Sequence, residues 1–404
     1  MKSAPQRPIF VSVNIKQKYM KLILRLGLIL FTGFISISTA SAQLYGTADT
    51  NAPELRVPTS VKPAFDYWMR DTWATLGPDG YYYITGTTST PDRYFPGQRH
   101  CWDWNDGLYL FRSTNLGDWD SMGRIWALDK DGSWQKEPKI YAPGEKHAKR
   151  SLNGDPLDNK FQAVWAPELH YIKSQKCWFI VACMNNSAKG KGSFILRSTT
   201  GRPEGPYVNI EGNEEGPLFD NIDGSLFEDE DGTVYFVGHN HYIARMKSDM
   251  SGLDEPIRKL DEQAYSPEPY VEGAFICKHD GKYHLVQAIW SHRLPSGVDA
   301  YNPEKDDNKT RYSYDCIIAS ADNIYGPYSK RYNAITGGGH NNLFRDRDGQ
   351  WWATIFFNPR GSQAKEYAQT CRPGIVPMKY CKSRFMIDAA RAVKPYSDLS
   401  QHNR

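Results

Sequence analysis

The sequence predicts an all-β fold made of repeated hairpins, and three features of the chain support this prediction. Four segments share one pattern, in which a polar or charged residue precedes a short apolar run, an Asp-Gly turn and an aromatic strand. In each segment the turn glycine follows the leading residue by nine positions. Asp-Gly between alternating apolar runs is also a strong hairpin signal, because a tight turn between twisted strands needs positive φ. The leading residues and their glycines are Asp71 with Gly80, Asp223 with Gly232, Glu272 with Gly281, and His340 with Gly349.

A fifth hairpin of the same kind begins at Trp165 in WAPELHYIKSQKCWFIVAC and carries Ser174-Gln175 at its turn. Five units of roughly 50 to 90 residues, each with about four short strands, predict a five-bladed β-propeller. A β-sandwich or a jelly roll is the alternative, and neither would require a fivefold repeat. We expect a single propeller domain over residues 66–390, an N-terminal segment over 43–65, and a C-terminal tail over 391–404.

Residues 1–42 have the layout of a secretory signal peptide, with room for an N-terminal extension ahead of it. From Met20 a short basic region precedes an apolar run that ends at Ala40-Ser41-Ala42. A transmembrane anchor is the less favoured alternative, since the uninterrupted apolar stretch is shorter than the roughly 20 residues that a span needs. We therefore expect a secreted or periplasmic protein that starts at Gln43 and does not contact the membrane.

The charge balance and the cysteines exclude two classes of function. Residues 1–42 contain six Lys and Arg and no Asp or Glu, so the rest of the chain has 43 basic and 46 acidic side chains. Without a basic excess, nucleic acid is not an expected partner. The seven cysteines lack CxxC spacing, which argues against a zinc site and favours buried small side chains, with one or two disulfides permitted by export.

The repeat brings chemistry-bearing residues together. In a propeller the innermost strand of every blade runs along the central axis, so we expect residues at the starts of these strands to converge. Three carboxylates and one imidazole, from Asp71, Asp223, Glu272 and His340, should then surround one pocket. The alternative for each residue alone is a solvated turn or cap.

Converging carboxylates suit the hydrolysis of a glycosidic bond. One carboxyl group must protonate the leaving oxygen, and a second must activate water or attack directly. Crowding of like charges raises the pKa of at least one carboxyl group and keeps a proton available near neutral pH. A third carboxylate can supply this effect.

The segments VWAPELHY, IDGSLFEDEDG, VEGAF and GGGHNNLF, preceded by MRDTWATLGPDGYYY, resemble the propellers of glycoside hydrolase family 43 in kind and order, from roughly Asp66 to Met386. The resemblance implies that Asp71 is the general base, that Asp223 tunes and orients the acid, and that Glu272 is the general acid of an inverting reaction. An inverting pair leaves room for a water, with carboxyl groups roughly 6.5 to 9.5 Å apart.

Two further residues are assigned by the resemblance. It links the blade-five histidine, here His340, to a calcium ion held through water in the central channel, although the chemistry requires no cofactor. A buried structural histidine is the alternative. The segment CRPGIVPM nominates Arg372 as a sugar contact, and a surface arginine is its alternative.

Aromatic rings can bind the C–H faces of sugars, although core packing is an equally good explanation for each tryptophan alone. Trp73 and Trp165 are the best candidates, because they lie at or next to the starts of axial strands, and Trp290 is the third. Trp102 and Trp104 lie in the insert between blades one and two. The rival acids are Asp66, Asp103 and Asp106.

These features together predict a glycosidase that acts on the side chains or termini of plant-type polysaccharides. The resemblance alone favours an α-L-arabinofuranosidase or a β-xylosidase. Thr72, Gly224 and Ala274 stand where the family often has Pro, so the specificity of family members cannot be transferred. The alternatives are a galactosidase-type propeller, a glycoside phosphorylase, and a glycan-binding propeller without catalysis. No clustered Lys/Arg motif indicates the phosphate pocket that a phosphorylase would need.

Overall fold

The computed structural model describes residues 53–88, 104–139, 162–260, 271–296, 299–301, 309–357 and 371–392. These residues form five antiparallel sheets, each built from consecutive strands. Neighbouring sheets lie against each other, with β1 on β5, β5 on β9, β9 on β13, β17 on β21, and β18 and β19 on β1. The sheets therefore close a ring, and the predicted five-bladed β-propeller is confirmed. The leader and the C-terminal tail lie outside the described residues, apart from positions 391 and 392.

The strands follow the chain from the innermost to the outermost position of each blade. Blade I contains β1 (Met69–Leu76), β2 (Tyr82–Thr88), β3 (Gly107–Ser113) and β4 (Asp120–Ala127). Blade II contains β5 (Val164–Ile172), β6 (Cys177–Met184), β7 (Gly192–Ser198) and β8 (Tyr207–Asn209). Blade III contains β9 (Gly224–Glu228), β10 (Val234–Gly238), β11 (Tyr242–Arg245) and β12 (Arg258–Lys259).

Blade IV contains β13 (Val271–His279), β14 (Lys282–Arg293), β15 (Asp299–Ala300), β16 (Arg311–Ala321) and β17 (Tyr332–Ile335), with β15 paired beside β14. Blade V contains β18 (Leu343–Arg345), β19 (Trp351–Ile355), β20 (Gly374–Cys381) and β21 (Arg384–Ile387). Among the described residues, helix is limited to short 3₁₀ turns at Pro53–Leu55, Trp134–Lys136 and Glu211–Asn213 and to α1 (Ala389–Ala392). None of these helices is long and apolar enough to cross a membrane.

The turns adopt the conformation that the Asp-Gly pairs predict. The four turn glycines have φ between +70° and +84°, a region that costs glycine little. In the hairpin without Asp-Gly, Lys176 takes the left-handed position with φ of +49°. The hairpin repeat is therefore the local cause of the five blades.

Apolar side chains fill each interface between neighbouring blades. Every interface has its own buried cluster, so burial of apolar surface holds the ring together at five places. Representative pairs are Leu110 with Ile180, Phe179 with Phe236, Val237 with Leu285, Val286 with Val376, and Ile84 with Trp352.

Polar contacts close the ring between blades V and I. The Asn342 side chain donates to the Ala74 carbonyl oxygen at 2.7 Å and accepts from the Ala74 amide nitrogen at 3.0 Å. On the outer side, the amide of Thr336 donates to the carbonyl of Leu55 at 2.8 Å. Residues ahead of the first strand are thereby bound to blade IV.

The six cysteines in the described part of the chain are all free, and four of them are buried. Their burial agrees with the expectation that they act as small apolar side chains. Cys101 lies outside the described residues.

Candidate active site

In every blade, one residue at the entrance to the innermost strand takes a left-handed backbone conformation. These residues are Asp71, Ala166, Asp223, Gly273 and His340, with φ between +45° and +63°. In blades I, II and IV the residue belongs to a β-bulge, where the register shifts between Arg70 and Trp73, Trp165 and Glu168, and Glu272 and Phe275. A bulge redirects side chains at the end of a strand, and here it does so at one end of the channel.

The carboxylate of Asp71 contacts a hydroxyl and an imidazole from neighbouring strands. Its Oδ2 accepts a hydrogen bond from the Thr87 hydroxyl at 2.6 Å, and its Oδ1 lies 3.3 Å from Nδ1 of His340. Thr87 in turn accepts a hydrogen bond from the amide of Ala166 at 2.7 Å. Blades I, II and V thus jointly fix the orientation of this carboxylate.

Asp223 is buried, with about 6% of its surface exposed. Its Oδ2 accepts a hydrogen bond from the amide of Gly273 at 3.2 Å. Burial raises the pKa of the Asp223 carboxyl to about 7; the charge of His340 opposes this rise, and the charges of Glu272 and Asp71 add to it. The ionisation of Asp223 therefore changes near neutral pH rather than near pH 4.

Glu272 lies on β13 and is only partly buried. The Tyr314 hydroxyl donates a hydrogen bond to its Oε1 at 2.6 Å. The expectation that Glu272 occupies the same position as Asp71 is wrong by one residue. The hairpins differ in the turn, because two residues connect β13 to β14 and five connect β1 to β2. Nine positions before the turn glycine therefore lies Glu272 on β13, one residue ahead of the bulge position that Asp71 has on β1. Gly273 takes the position of Asp71.

Gly273 allows the blades to approach closely. A Cβ at this position would lie 2.9 Å from the His340 ring, so only a residue without a side chain fits beneath the imidazole. Its amide also holds Asp223, and it directly follows Glu272. Asp71, Asp223, Glu272 and His340 are therefore brought together around Gly273, as the repeat predicts.

His340 is buried between these carboxylates. Burial alone would lower the pKa of its imidazole, but the charges of Asp71, Asp223 and Glu272 together raise it above its ordinary value. Near neutral pH this favours an imidazolium that offsets part of the negative charge.

The resemblance also assigned His340 to a metal site, and in the structure its Nδ1 faces Asp71 at 3.3 Å. Over the described ranges, no group of three or more His, Cys, Asp or Glu side chains is arranged to hold a metal ion. A calcium ion held through water stays a prediction.

Trp73 does not have the open face expected of a sugar platform. Its ring packs against His170 at 4.8 Å and Phe275 at 5.3 Å, and its indole N–H donates to Thr75. About 9% of its surface is exposed, because Trp73 follows the bulge of β1 and points into the interior of the ring. These contacts give Trp73 a packing role, and its contact with sugar stays a prediction.

Glu168 and His170 line the interior beside Trp73. Oε2 of Glu168 lies 2.8 Å from Nε2 of His170, and both residues are buried. Burial raises the pKa of Glu168 well above its usual range and lowers the pKa of His170 to about 3. Both shifts disfavour the charged forms of this pair.

Trp165 and Trp290 are half-buried. Trp165 immediately precedes the left-handed Ala166, and Trp290 stacks on Tyr314 with ring centroids 4.6 Å apart. Both therefore lie next to residues of the cluster, and their contact with sugar stays a prediction.

Arg372 is held by an acidic neighbour. Its Nε donates to Oδ1 of Asp66 at 2.6 Å, and the Asp66 side chain is 91% exposed. Asp106 pairs with Arg124 and accepts a hydrogen bond from Tyr109, which gives this rival acid a structural role. Trp104 forms an isolated bridge with Gln162, whereas Trp102 and Asp103 lie outside the described residues.

Sequence reasoning missed three residues that shape the cluster, namely Thr87, Arg70 and Tyr314. Thr87 is one of several threonines in β2, and nothing in the sequence distinguishes it. Arg70 is a visible signal, since it directly precedes Asp71, and its Nε lies 4.0 Å from Oδ1 of Asp71. Tyr314 lies 42 positions from Glu272, so only the pairing of β14 with β16 brings it near.

Comparison with known proteins identifies the family. The profile of glycosyl hydrolases family 43 matches residues 62–383. The chain belongs to this family. Its resemblance to the family's motifs is thereby confirmed.

Individual relatives match less of the chain. It is 30% identical over 200 residues to the β-D-galactofuranosidase xynD of Aspergillus niger. This alignment covers 45% of this chain and 52% of that protein. It is 23% identical over 246 residues to the xylosidase/arabinosidase 43B of Humicola insolens, which covers 56% of this chain and 36% of that protein. The chain thus spans about half or less of the length of these relatives.

A solved structure shows the same fold. The crystal structure of the GH43 BlXynB protein from Bacillus licheniformis aligns with a TM-score of 0.55 at 19% identity, over 81% of this chain and 56% of that chain. At this identity the likeness supports the propeller fold alone.

Gly273→Ala and Gly281→Ala test the close approach as a matched pair. Both glycines have left-handed φ, +63° and +70°, but a Cβ at position 281 would meet nothing within 4 Å. The left-handed φ alone should cost each variant about 1–2 kcal/mol of stability. Only Gly273→Ala should also displace His340 and lower kcat/KM, by roughly 100-fold. Equal activity of the two variants on one aryl glycoside would contradict this account of Gly273.

Asp223→Asn should change how stability depends on pH. The raised pKa of Asp223 means that the folded chain keeps a proton that the unfolded chain releases near pH 4. Stability of the wild type should therefore fall as pH rises from about 4 to 7, by up to about 1.4 kcal/mol per pH unit from this residue. Urea midpoints of the variant should show a smaller decline over this window, and parallel curves would refute the assignment.

Proposed function

We propose that the chain is a glycoside hydrolase that cleaves with inversion, with Asp71 as general base and Glu272 as general acid. The observation that carries this proposal is the convergence of three carboxylates and His340 around Gly273 at one end of the channel. Family membership supports the same class of reaction. A glycan-binding propeller without catalysis would not need carboxyl groups in such different environments.

The two partly exposed carboxyl groups suit the two proton transfers. Glu272 gives a proton to the glycosidic oxygen as the bond between that oxygen and the anomeric carbon breaks. Asp71, held by Thr87 and facing His340, takes a proton from the water that attacks the anomeric carbon from the opposite side. Neither step requires a cofactor.

Asp223 acts differently, because it is buried and hydrogen-bonded to the backbone of Gly273. We assign it a tuning role, in which its charge acts on Glu272 and His340 without contacting the reacting atoms. Its raised pKa indicates that its ionisation changes near neutral pH, where such tuning would affect the rate.

The proposed substrates are side chains or terminal sugars of plant-type polysaccharides, with an α-L-arabinofuranoside or a β-xyloside as the cleaved group. The name of the Humicola relative supports this choice. A galactofuranoside is the second candidate, since the Aspergillus relative is named as a galactofuranosidase at 30% identity. Trp165, Trp290 and Arg372 are the proposed sugar contacts. Export through the leader at residues 1–42 stays a prediction.

A panel of aryl glycosides distinguishes these substrates. It should contain α-L-arabinofuranoside, β-xyloside, β-D-galactofuranoside and β-galactoside, each assayed with and without inorganic phosphate. Release of free sugar at a rate independent of phosphate supports hydrolysis. Formation of sugar phosphate would instead show phosphorolysis, and no turnover of any glycoside would favour a binding protein.

Glu272→Gln tests the acid. The variant should lose roughly 100- to 10,000-fold in kcat/KM on an unactivated oligosaccharide, and much less on an aryl glycoside whose leaving group needs no proton. Glu255→Gln is a matched control. Glu255 also accepts a hydrogen bond from a tyrosine hydroxyl, that of Tyr325 at 2.7 Å, but it lies outside the cluster. Near wild-type activity of Glu272→Gln on the oligosaccharide would show that another group is the acid.

A further inference from the structure

We propose that Tyr314 is a positioning residue that holds Glu272 in the orientation of the general acid and stabilises the carboxylate left after proton transfer. This inference rests on the proposed role of Glu272. It is carried by the hydrogen bond of 2.6 Å from the Tyr314 hydroxyl to Oε1 of Glu272. Among the described residues around Glu272, Tyr314 supplies this side-chain donor from a different strand, β16.

Tyr314 is held rigidly by its surroundings. Only about 1% of its surface is exposed. Trp290, its partner across β14 and β16, stacks on its ring at a centroid distance of 4.6 Å and an interplanar angle of 27°. The guanidinium of Arg311 lies 5.1 Å from the centre of the Trp290 ring. The hydroxyl therefore has little freedom to leave Glu272.

Blade V fixes the same tyrosine from the other side. The amide of Gly339 donates to the Tyr314 carbonyl oxygen at 2.9 Å. A Cβ at Gly339 would lie 3.0 Å from the ring of Tyr314, so any other residue there would press on the ring and displace it by a few tenths of an ångström. Gly339 immediately precedes His340, so this contact connects the support of Glu272 to the imidazole beside Asp71.

A hydroxyl that donates a hydrogen bond to Oε1 suits the role of Glu272 as general acid. With Oε1 accepting from Tyr314, the proton for the leaving group is carried by Oε2. When that proton moves to the glycosidic oxygen and the C–O bond breaks, the Glu272 carboxylate forms with a donor already in place. Burial raises the pKa of the Tyr314 hydroxyl well above its usual range, and the charge of Glu272 adds to this rise. The phenol thus remains a donor throughout, and solvent returns the proton to Glu272 after the product leaves.

This role predicts a specific pH effect. Removal of the hydroxyl takes away a donor that favours the carboxylate form of Glu272, so the acid keeps its proton to higher pH. The alkaline limb of the pH–rate profile should therefore move to higher pH, although the rate falls. The other titratable or charged groups that act on this region are Arg70, Asp71, Asp223, His340 and Cys371. All of them remain in a Tyr314→Phe variant.

The test compares Tyr314→Phe with Tyr325→Phe, which removes the hydroxyl that Tyr325 donates to Glu255 at 2.7 Å outside the cluster. Tyr314→Phe should lower kcat/KM on an unactivated oligosaccharide by about 10- to 100-fold. Its alkaline limb should rise by about one pH unit. Tyr325→Phe should leave both values at the wild-type level. An unchanged rate, or a lower rate with the limb in place, would show that Tyr314 has only a structural role.

A double variant separates this inference from the proposed function. If Tyr314 acts through Glu272, adding Tyr314→Phe to Glu272→Gln should cause no further loss on an activated aryl glycoside. A further loss of tenfold or more would overturn the inference. If Glu272→Gln alone keeps its activity on the oligosaccharide, the acid assignment itself fails. If Glu272→Gln is inactive there and Tyr314→Phe shifts no limb, only the role of Tyr314 is refuted.

Discussion

The candidate active site depends on one backbone constraint, a left-handed residue at the entrance to the innermost strand of every blade. For a residue with a Cβ this conformation costs about 1–2 kcal/mol. Four of the five residues have a Cβ and still adopt this conformation, namely Asp71, Ala166, Asp223 and His340. Backbone strain that recurs at equivalent positions of a repeat points to function, because packing alone does not require it. Here three of the four side chains are ionisable, and they meet at one end of the channel.

Because the carboxyl groups lie close together, electrostatic repulsion is the second constraint on the site. Three carboxyl groups near one another repel when ionised, and this architecture offsets the repulsion in two ways. Asp223 is buried, which raises its pKa, while His340 and Arg70 contribute positive charge beside Asp71. The absence of a side chain at Gly273 permits the close approach of the His340 imidazole, and the Gly273 amide donates a hydrogen bond to Asp223. One small residue thus connects the geometry of the blades to the ionisation of the site.

The sequence was sufficient to predict the blades, because each Asp-Gly turn marks a hairpin through local backbone chemistry. It also identified Asp71, Asp223 and His340 as equivalent, because their hairpins share one turn length. The position of Glu272 was predicted one residue off, since counting along the chain cannot detect the shorter turn of blade IV. Trp73 was predicted to contact sugar, and Tyr314 was not predicted at all, for a similar reason. Whether a ring packs inward or supports an acid depends on strand pairing, which motifs do not contain.

The central claim is that Asp71 and Glu272 act from opposite sides of the glycosidic bond, with a water between Asp71 and the anomeric carbon. The anomer released first tests this claim most directly. Proton NMR should follow the hydrolysis of the best glycoside of the panel within the first minutes, before mutarotation mixes the anomers. An inverting mechanism predicts a product of inverted configuration, as expected for carboxyl groups roughly 6.5 to 9.5 Å apart. A product of retained configuration would contradict it and would make one of the two carboxylates a nucleophile.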